Sequence, residues 1–353
     1  MSINIYNNIK DFTEDQWNNV IDHSSFFISY NFLNSYFINH KYIQHLFCFD
    51  NNNRFYGHVF NVNLSQLIFF SNYRFAKYIL SFIGLRFFYF TNSFLTNLPS
   101  FSIDSDFNLA EIIDKIKSRI KTDFIVIPDF LFNHKLNNSK INNFIKVEVE
   151  EEMSLKIPSS WIDFESYKLS LKTKYRKRIN NALKRSADIN VRLLCSEEIV
   201  KYNHRIQELF NNVTNKANFT GPVFNINTIK DNSSLNLYGY FLNDKLLAFS
   251  SEFFYLNSLY SYFVGIDYKY NIKYSLYERI LCDTIKNAIL CKKNYVIFGR
   301  TANEFKSNFG AVPKQSFVYI YTDRFLFKWL FNFFLKNLKP KKWIQRFPFK
   351  SEF

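Results

Sequence analysis

Residues 235–266 read LNLYGYFLNDKLLAFSSEFFYLNSLYSYFVGI. Three runs rich in apolar, aromatic and β-branched residues, Leu235 to Leu242, Lys245 to Leu256 and Leu259 to Ile266, are separated by the turn pairs Asn243-Asp244 and Asn257-Ser258. The stretch therefore predicts an antiparallel three-strand meander. C-terminal to it, the pattern predicts a helix over Leu276 to Cys291, a buried strand over Tyr295 to Phe298 and a last strand over Gln315 to Thr322. N-terminal to it, Asp163 can cap a helix running to about Ala187, Ile189 to Cys195 alternates like a strand, and Ser196 caps a second helix to about Lys216.

Between the last two strands lies Phe298-Gly299-Arg300-Thr301-Ala302-Asn303-Glu304-Phe305-Lys306-Ser307-Asn308-Phe309-Gly310, which holds two of only seven glycines in the chain. Gly299 and Arg300 fall where a strand leaves the sheet, the place at which ligands of open α/β sheets collect.

At 353 residues the chain has room for two domains. Residues 1–150 carry 13 Lys+Arg against 13 Asp+Glu, and residues 151–353 carry 32 against 17, so the whole net charge of +15 belongs to the second half. Such a surplus implies an anionic partner, satisfied equally by nucleic acid, phosphate esters, cofactor pyrophosphate or acidic lipid. The first half reads as two helical segments, Thr13 to His23 and Tyr30 to Asn39, a hairpin of Gln44 to Asp50 and Arg54 to Leu64, a helix over Asn108 to Lys121 and a buried strand over Asp123 to Pro128. The polar segment Asn137 to Asn143, the acidic run Glu148 to Glu152 and Pro158-Ser159-Ser160 place the domain boundary near residue 150.

No basic segment followed by an apolar core opens the sequence, which predicts a cytoplasmic protein. No apolar run reaches the ~18 residues that span a bilayer; Tyr78 to Leu95 comes closest and reads as core. Cys48, Cys195, Cys282 and Cys291 are scattered, and the pair His45 and Cys48 has no second pair to complete a metal site, so no metal is expected. The 44 phenylalanines reflect composition throughout, so aromatic clusters alone do not indicate base stacking.

The order of elements, with Lys174-Tyr175-Arg176-Lys177-Arg178 in the first helix, Gly265-Ile266-Asp267-Tyr268 after the meander, and Phe298-Gly299-Arg300 with Lys306 and Gly310, resembles the GNAT acyltransferases, and among them the FemAB-like branch. The resemblance covers residues 160–325 and extends to the first half in architecture only. It implies a mixed α/β fold of two tandem GNAT-like domains, 1–150 degenerate and 151–325 catalytic, with a basic aromatic tail over 326–353. Each domain would have a mostly antiparallel sheet flanked by helices.

It further implies direct transfer of an acyl or aminoacyl group to an amine of a cell-envelope or lipid-linked precursor. The donor would be acetyl-CoA, another acyl-CoA or an aminoacyl-tRNA. GNAT proteins that bind acetyl-CoA carry a glycine-rich turn after the meander, whereas Tyr268 to Ser275 has no glycine, which keeps the aminoacyl-tRNA open as donor. Gly265, Asp267, Tyr274, Ser275, Leu276 and Tyr277 would bind the donor, with Ser275 and Glu278 forming a capping box near Lys269 and Lys273. The box also suits an ordinary helix start, and Asp267 suits a turn cap.

Lys174, Tyr175, Arg176 and Arg178, on a helix from Lys168 to Arg185 without an acidic residue, would bind an anionic substrate or tRNA, or form a solvated face. Arg300 would hold an anionic acceptor bidentately and Lys306 as a point charge; ion pairs with Glu304 or Asp267 are the alternative. Glu252 is the candidate base, or an exposed carboxylate on an edge strand, and Tyr262 the candidate proton donor. Residues 324–350 hold eight Lys+Arg and no acid among many aromatics, which suits either an anionic membrane surface, reached through 324–353, or a final helix packed on the core. Readings without catalysis are a tRNA- or nucleic-acid-binding module and a membrane-surface module on a GNAT-derived scaffold.

Overall fold

A computed structural model of the chain describes residues 3–18, 26–63, 84–90, 101–103, 108–133, 144–216, 225–230, 235–329 and 342–350. Contacts divide the residues into two compact units, the first Met1–Val149, Phe219–Thr228 and Ser316–Pro340, the second Glu150–Asn218, Ile229–Gln315 and Lys341–Phe353.

In the first unit β1 (Asn4–Tyr6), α1 (Glu14–Asn18) and α2 (Tyr30–Asn39) precede the expected hairpin of β2 (Gln44–Phe49) and β3 (Arg54–Asn63). Its turn is held by the Asp50 carboxylate, which accepts from the amides of Asn52 and Asn53 at 2.8 and 2.7 Å. β4 (Gly84–Phe90) pairs with β3, β5 (Phe101–Ser102) with β3, and, after α3 (Leu109–Arg119), β6 (Phe124–Pro128) lies parallel to β4. Of the stretch Tyr78 to Leu95 only β4 lies within the described residues, where it is a strand paired on both edges. Among the described residues no helix is long and apolar enough to cross a membrane. The expected helix over Thr13 to His23 is described only to Asn18, and the polar segment Asn137 to Asn143 lies outside the described residues.

His40 and His45 are buried here as neutral rings. His40 Nδ1 donates to Tyr36 O (2.9 Å) and its Nε2 accepts from the Asn225 amide (2.9 Å). His45 Nε2 donates to His40 O (2.9 Å), so its Nδ1 accepts from the Tyr56 hydroxyl (2.8 Å). Every ring nitrogen is satisfied without metal, and no group of three metal-binding side chains occurs among the described residues.

The second unit is a sheet of order β7-β12-β11-β10-β9-β8. Its elements are β7 (Phe144–Lys156, of which 150–156 belong here), α4 (Phe164–Ser170), α5 (Thr173–Arg185), β8 (Asn190–Leu193), α6 (Ser196–Lys201) and α7 (Asn203–Thr214). The expected antiparallel meander follows as β9 (Leu235–Leu242), β10 (Lys245–Tyr255) and β11 (Ser258–Ile266), with the register shifting between Leu246 and Ala248 and between Ser250 and Glu252. Then come α8 (Tyr268–Tyr274), α9 (Leu276–Leu290), β12 (Tyr295–Gly299), α10 (Asn303–Ser307) and the start of β13 (Val312–Tyr321), of which 316–321 belong to the first unit and pair with β6. One face of the sheet packs Met153, Leu155, Leu259 and Val296 against Leu281 and Ile285 of α9, which forms the main core of the unit.

Three local expectations take a different form in the structure. The helix expected from Asp163 to Ala187 is two helices, broken at Leu171-Lys172, where Leu171 bridges Phe349 and the Lys172 amide donates to Pro348 O (2.8 Å). The boundary expected near residue 150 falls between Val149 and Glu150 inside a continuous strand, β7, where period-two alternation turns Glu150 and Glu152 to one face and Glu151, Met153 and Leu155 to the other. The tail is not one helix: residues 325–329 are helical in the first unit, while 342–350 run extended along the second. There Trp343 Nε1 donates to Glu151 (2.8 Å), Gln345 to Ala311 O (3.1 Å) and Lys350 N to Ser170 O (3.0 Å).

Burial pulls His40 and His45 down to about 4 from 6.5. The unfolded chain takes up these protons first, so stability is lost as pH falls from about 6.5 through 4, by on the order of 3 kcal/mol for each ring. We expect a lower thermal midpoint for this unit at pH 4.5 than at pH 7; an unchanged midpoint would contradict their burial as neutral rings.

Candidate active site

β12 ends at Gly299, and the chain then turns through three left-handed residues, Gly299 (φ 68°), Thr301 (φ 68°) and Ala302 (φ 52°). Left-handed conformation costs a non-glycine residue roughly 1–2 kcal/mol, so something must hold this loop. The holder is Lys306. Its Nζ donates to the carbonyls of Phe298 (2.8 Å), Gly299 (3.2 Å) and Arg300 (2.8 Å), three acceptors for the three protons of an ammonium. Lys306 is 3 % exposed, and burial pushes its pKa down to about 7 while Glu150 and Glu152 draw it up. This corrects the expectation of a point charge for the acceptor, because all three protons of the ammonium are spent on backbone.

Arg300, by contrast, has neither of the ion pairs that would have made it structural. Glu304 pairs with Arg346, and Asp267 pairs with Arg205 at 2.6 Å. The Nε of Arg300 is buried with no hydrogen-bond partner. A guanidinium so placed can donate to an anionic oxygen.

Beside the loop the sheet opens. The parallel ladder of β11 with β12 stops at Tyr260↔Ile297, while β11 continues to Ile266. Just beyond, Tyr262 and Phe263 together face Ser251 in a bulge, closed by Ser251 Oγ, which accepts from the Phe263 amide (2.8 Å) and donates to its carbonyl (3.2 Å). Tyr262 is the first side chain past the end of the ladder on the face that carries Glu150 and Glu152. Burial pushes its phenol well above 10, Tyr260 and Glu152 push the same way, and Arg300 opposes them.

On the other side of α10 lies a groove between α5 and the start of α9. A cavity of about 310 Å³ is lined by Lys174, Lys177, Arg178, Asn181, Arg185, Ser275 and Glu278. A second, of about 200 Å³, shares Arg185, Ser275 and Glu278 and adds Asn271, Tyr277 and Phe305. Arg178 is ion-paired to Glu278 (2.8 Å) and lies over the Phe305 ring at 4.8 Å. Lys174, Lys177 and Arg185 are exposed along the rim.

Of the sequence-predicted donor residues, Ser275 and Tyr277 line this groove and four do not. Gly265 serves packing, since a Cβ there would lie 2.2 Å from the Phe249 ring. Asp267 caps α8 by accepting from the Lys269 amide, and Tyr274 and Leu276 are core. The expected capping box fails: Ser275 is left-handed (φ 48°) and makes no side-chain cap, because α8 runs directly into α9. Of the substrate-binding set, Lys174 and Arg178 line the groove, Tyr175 packs on the core, Arg176 lines neither cavity, and Arg300 is on the loop.

Glu252 lines neither cavity. It is 1 % exposed on β10, which is paired on both edges, and accepts from Asn287 Nδ2 of α9 at 2.9 Å, which overturns its reading as an exposed edge-strand carboxylate. Sequence reading missed Phe305, Arg185 and Glu152. Phe305 is hidden by the abundance of phenylalanine, Arg185 by its place at the end of a long charge run, and Glu152 by the acidic run around it, though β alternation from Phe144 to Lys156 could have singled it out.

Burial raises Glu252 to about 7, so the folded protein keeps a proton that the unfolded chain releases, and stability falls as pH rises from about 4.5 to 7. Glu252→Gln should therefore raise stability more at pH 8 than at pH 5, by up to about 3 kcal/mol, in thermal unfolding. An equal effect at both pH values would contradict a buried charge. Lys306→Met should leave three carbonyls without a donor, lower stability by about 3 kcal/mol and speed amide exchange across residues 298–302; unchanged exchange there would show that the loop stands without it.

No family profile matches the sequence, and no curated protein sequence does. Solved structures do match. FemX is similar over 95 % of this chain and 100 % of its own, with a TM-score of 0.50 and 11 % identity. A protein of unknown function from Bacteroides thetaiotaomicron aligns over 91 % and 100 % with a TM-score of 0.51 and 10 % identity. The C-terminal domain of a protein from Agrobacterium fabrum, provisionally named lysylphosphatidylglycerol synthetase, aligns over 91 % and 95 % with a TM-score of 0.50 and 9 % identity. At these identities the likeness establishes the fold, and that fold is the mixed α/β, GNAT-like architecture of FemX expected from the sequence.

Proposed function

We propose that this chain transfers an aminoacyl group from an aminoacyl-tRNA to an amine, with the tRNA 3′ end in the groove between α5 and α9. The observation that carries the reading is the cationic lining of that groove, Lys174, Lys177, Arg178 and Arg185 for phosphates, beside the aromatic lining of Tyr277 and Phe305, which pack on each other at 5.1 Å. An acyl-CoA is the other donor of this fold, and the start of α9 favours it less. The Tyr277 amide already donates to Asn271 Oδ1 (3.0 Å), the Arg279 amide to Ser275 O (2.9 Å), and Glu278 adds a negative charge where a pyrophosphate would lie.

The acceptor carries an anionic group for Arg300 and an amine for the acyl carbon. A cell-envelope or lipid-linked precursor can meet both requirements; the name of the Agrobacterium protein, with phosphatidylglycerol as an anionic lipid that offers hydroxyls, supports the anionic-lipid half of that class. Contact with the inner face of the membrane fits the helical residues Phe325, Leu326 and Trp329, which are 82, 69 and 59 % exposed between Arg324 and the basic remainder of the tail. The mechanism requires no metal.

Fluorescence anisotropy with an aminoacylated tRNA minihelix tests the donor. Binding should weaken steeply with salt, and combined Lys174→Ala, Lys177→Ala and Arg185→Ala should weaken it about 30-fold and lower the salt slope by about 2–3. Micromolar acetyl-CoA binding lost on Ser275→Glu would transfer the donor assignment to CoA. Minihelix binding without turnover would leave a nucleic-acid-binding module in place of an enzyme.

A further inference from the structure

Four ionisable groups from four segments meet where β11 parts from β12. Glu152 comes from β7, Tyr262 from β11 just past the last rung of the ladder, Arg300 from the loop after β12, and Lys306 from α10. Register brings them together. Gly299 pairs with Met153, so Glu152, the next residue along β7, lies level with Arg300, the next along the loop. Tyr260 and Tyr262 project from the same sheet face, with rings 6.4 Å apart and 24° from parallel. Among the acids of β7, Glu151 faces the core side and is held by Trp343, and Glu150 is exposed. Glu152 is half-buried, and its charge acts on Tyr260, Tyr262 and Lys306 alike.

From this juxtaposition we propose that Glu152 is the base that takes a proton from the attacking amine and that Tyr262 gives a proton to the departing oxygen. The inference rests on the transferase reading above. The acceptor nitrogen bonds to the acyl carbon, and one of its protons passes to the Glu152 carboxylate. The bond between that carbon and the ribose oxygen breaks with its electron pair on oxygen, which takes the Tyr262 proton. Glu152 then returns its proton to the Tyr262 phenolate, and the net products are an amide and a free hydroxyl. Burial and the Glu152 charge keep the phenol protonated at neutral pH, so it enters the reaction as a donor. Arg300, acting on Tyr262 in the opposite sense, eases formation of the phenolate. Lys306 is a positioning residue, because its ammonium touches only the loop.

The test uses the full chain, phosphoethanolamine as an amine bearing an anionic group, and two donors: the aminoacylated minihelix, an ester, and the aminoacyl thioester of N-acetylcysteamine. A thiolate departs without a proton, whereas an alkoxide does not. Glu152→Gln should slow both donors by about 10²–10⁴-fold, remove the acidic limb of the kcat/KM profile and leave minihelix binding unchanged. Tyr262→Phe should slow the ester about 100-fold and the thioester by no more than a few-fold. Turnover in Glu152→Gln near that of the unsubstituted chain would overturn the base. Equal slowing of both donors by Tyr262→Phe, at an unchanged thermal midpoint, would overturn the acid. Absence of turnover in the unsubstituted chain would instead overturn the transferase reading, and this inference with it.

Discussion

The site depends on one buried ammonium. Lys306 gathers the carbonyls of Phe298, Gly299 and Arg300, and without that convergence a loop with three left-handed residues in four has no reason to persist. Its consequences run in both directions along the chain. On the near side it sets the direction in which Arg300 leaves β12. On the far side it fixes the rotation of the short helix α10, so that Phe305 points into the groove beneath Arg178 while Glu304 meets Arg346. A helix of five residues has too few internal hydrogen bonds to hold its own orientation, so these side-chain contacts do it. The extended residues 342–350 complete the arrangement: the Arg346 amide donates to Ser307 Oγ (3.2 Å) and Phe349 packs on Trp161 and Tyr167.

The same loop separates two electrostatic environments. The rim of the groove is cationic, with Lys174, Lys177 and Arg185, whereas the opened edge of the sheet carries Glu150 and Glu152. An acyl transfer to an amine needs that division, because its donor is a polyanion and its nucleophile is an ammonium until a base deprotonates it. An unpaired acid in the groove would repel such a donor, and the acid that lines it, Glu278, is paired with Arg178 at 2.8 Å. Arg300 lies between the two and its Nε is without an acceptor, which suits an acceptor whose amine and anionic group stand a short distance apart.

The meander, α9 and β12 were legible in the sequence because each is fixed by local pattern: apolar alternation, two-residue turns and a helical period. The strand end bearing Gly299 and Arg300 was legible for the same reason. What escaped depends on contacts distant in sequence. The break at Leu171-Lys172 has no proline or glycine to announce it and exists because Phe349 and Pro348, far along the chain, take its backbone groups. Ser275 and Glu278 have the spacing of a capping box, but a preceding helix reaches Ser275 and leaves it left-handed. Glu252 stood out as a lone acid on an apolar strand, and that isolation is the mark of burial beneath α9; Glu152, masked by neighbouring acids, is the carboxylate at the open edge.

Replacing a glycine-rich phosphate turn by a helix changes how an anion can be held. Backbone amides in a tight turn bind phosphate through fixed dipoles at close range, which selects one pyrophosphate geometry and changes little with salt. Here residues 268–274 form α8, the Tyr277 amide of α9 already donates to Asn271, and the available positive charge sits on long side chains spaced along α5. Such charges follow a backbone of phosphates over several positions and respond to ionic strength through counterion release. On the proposed reading, the spacing of these cations along α5 suits an extended polyanion better than a compact cofactor.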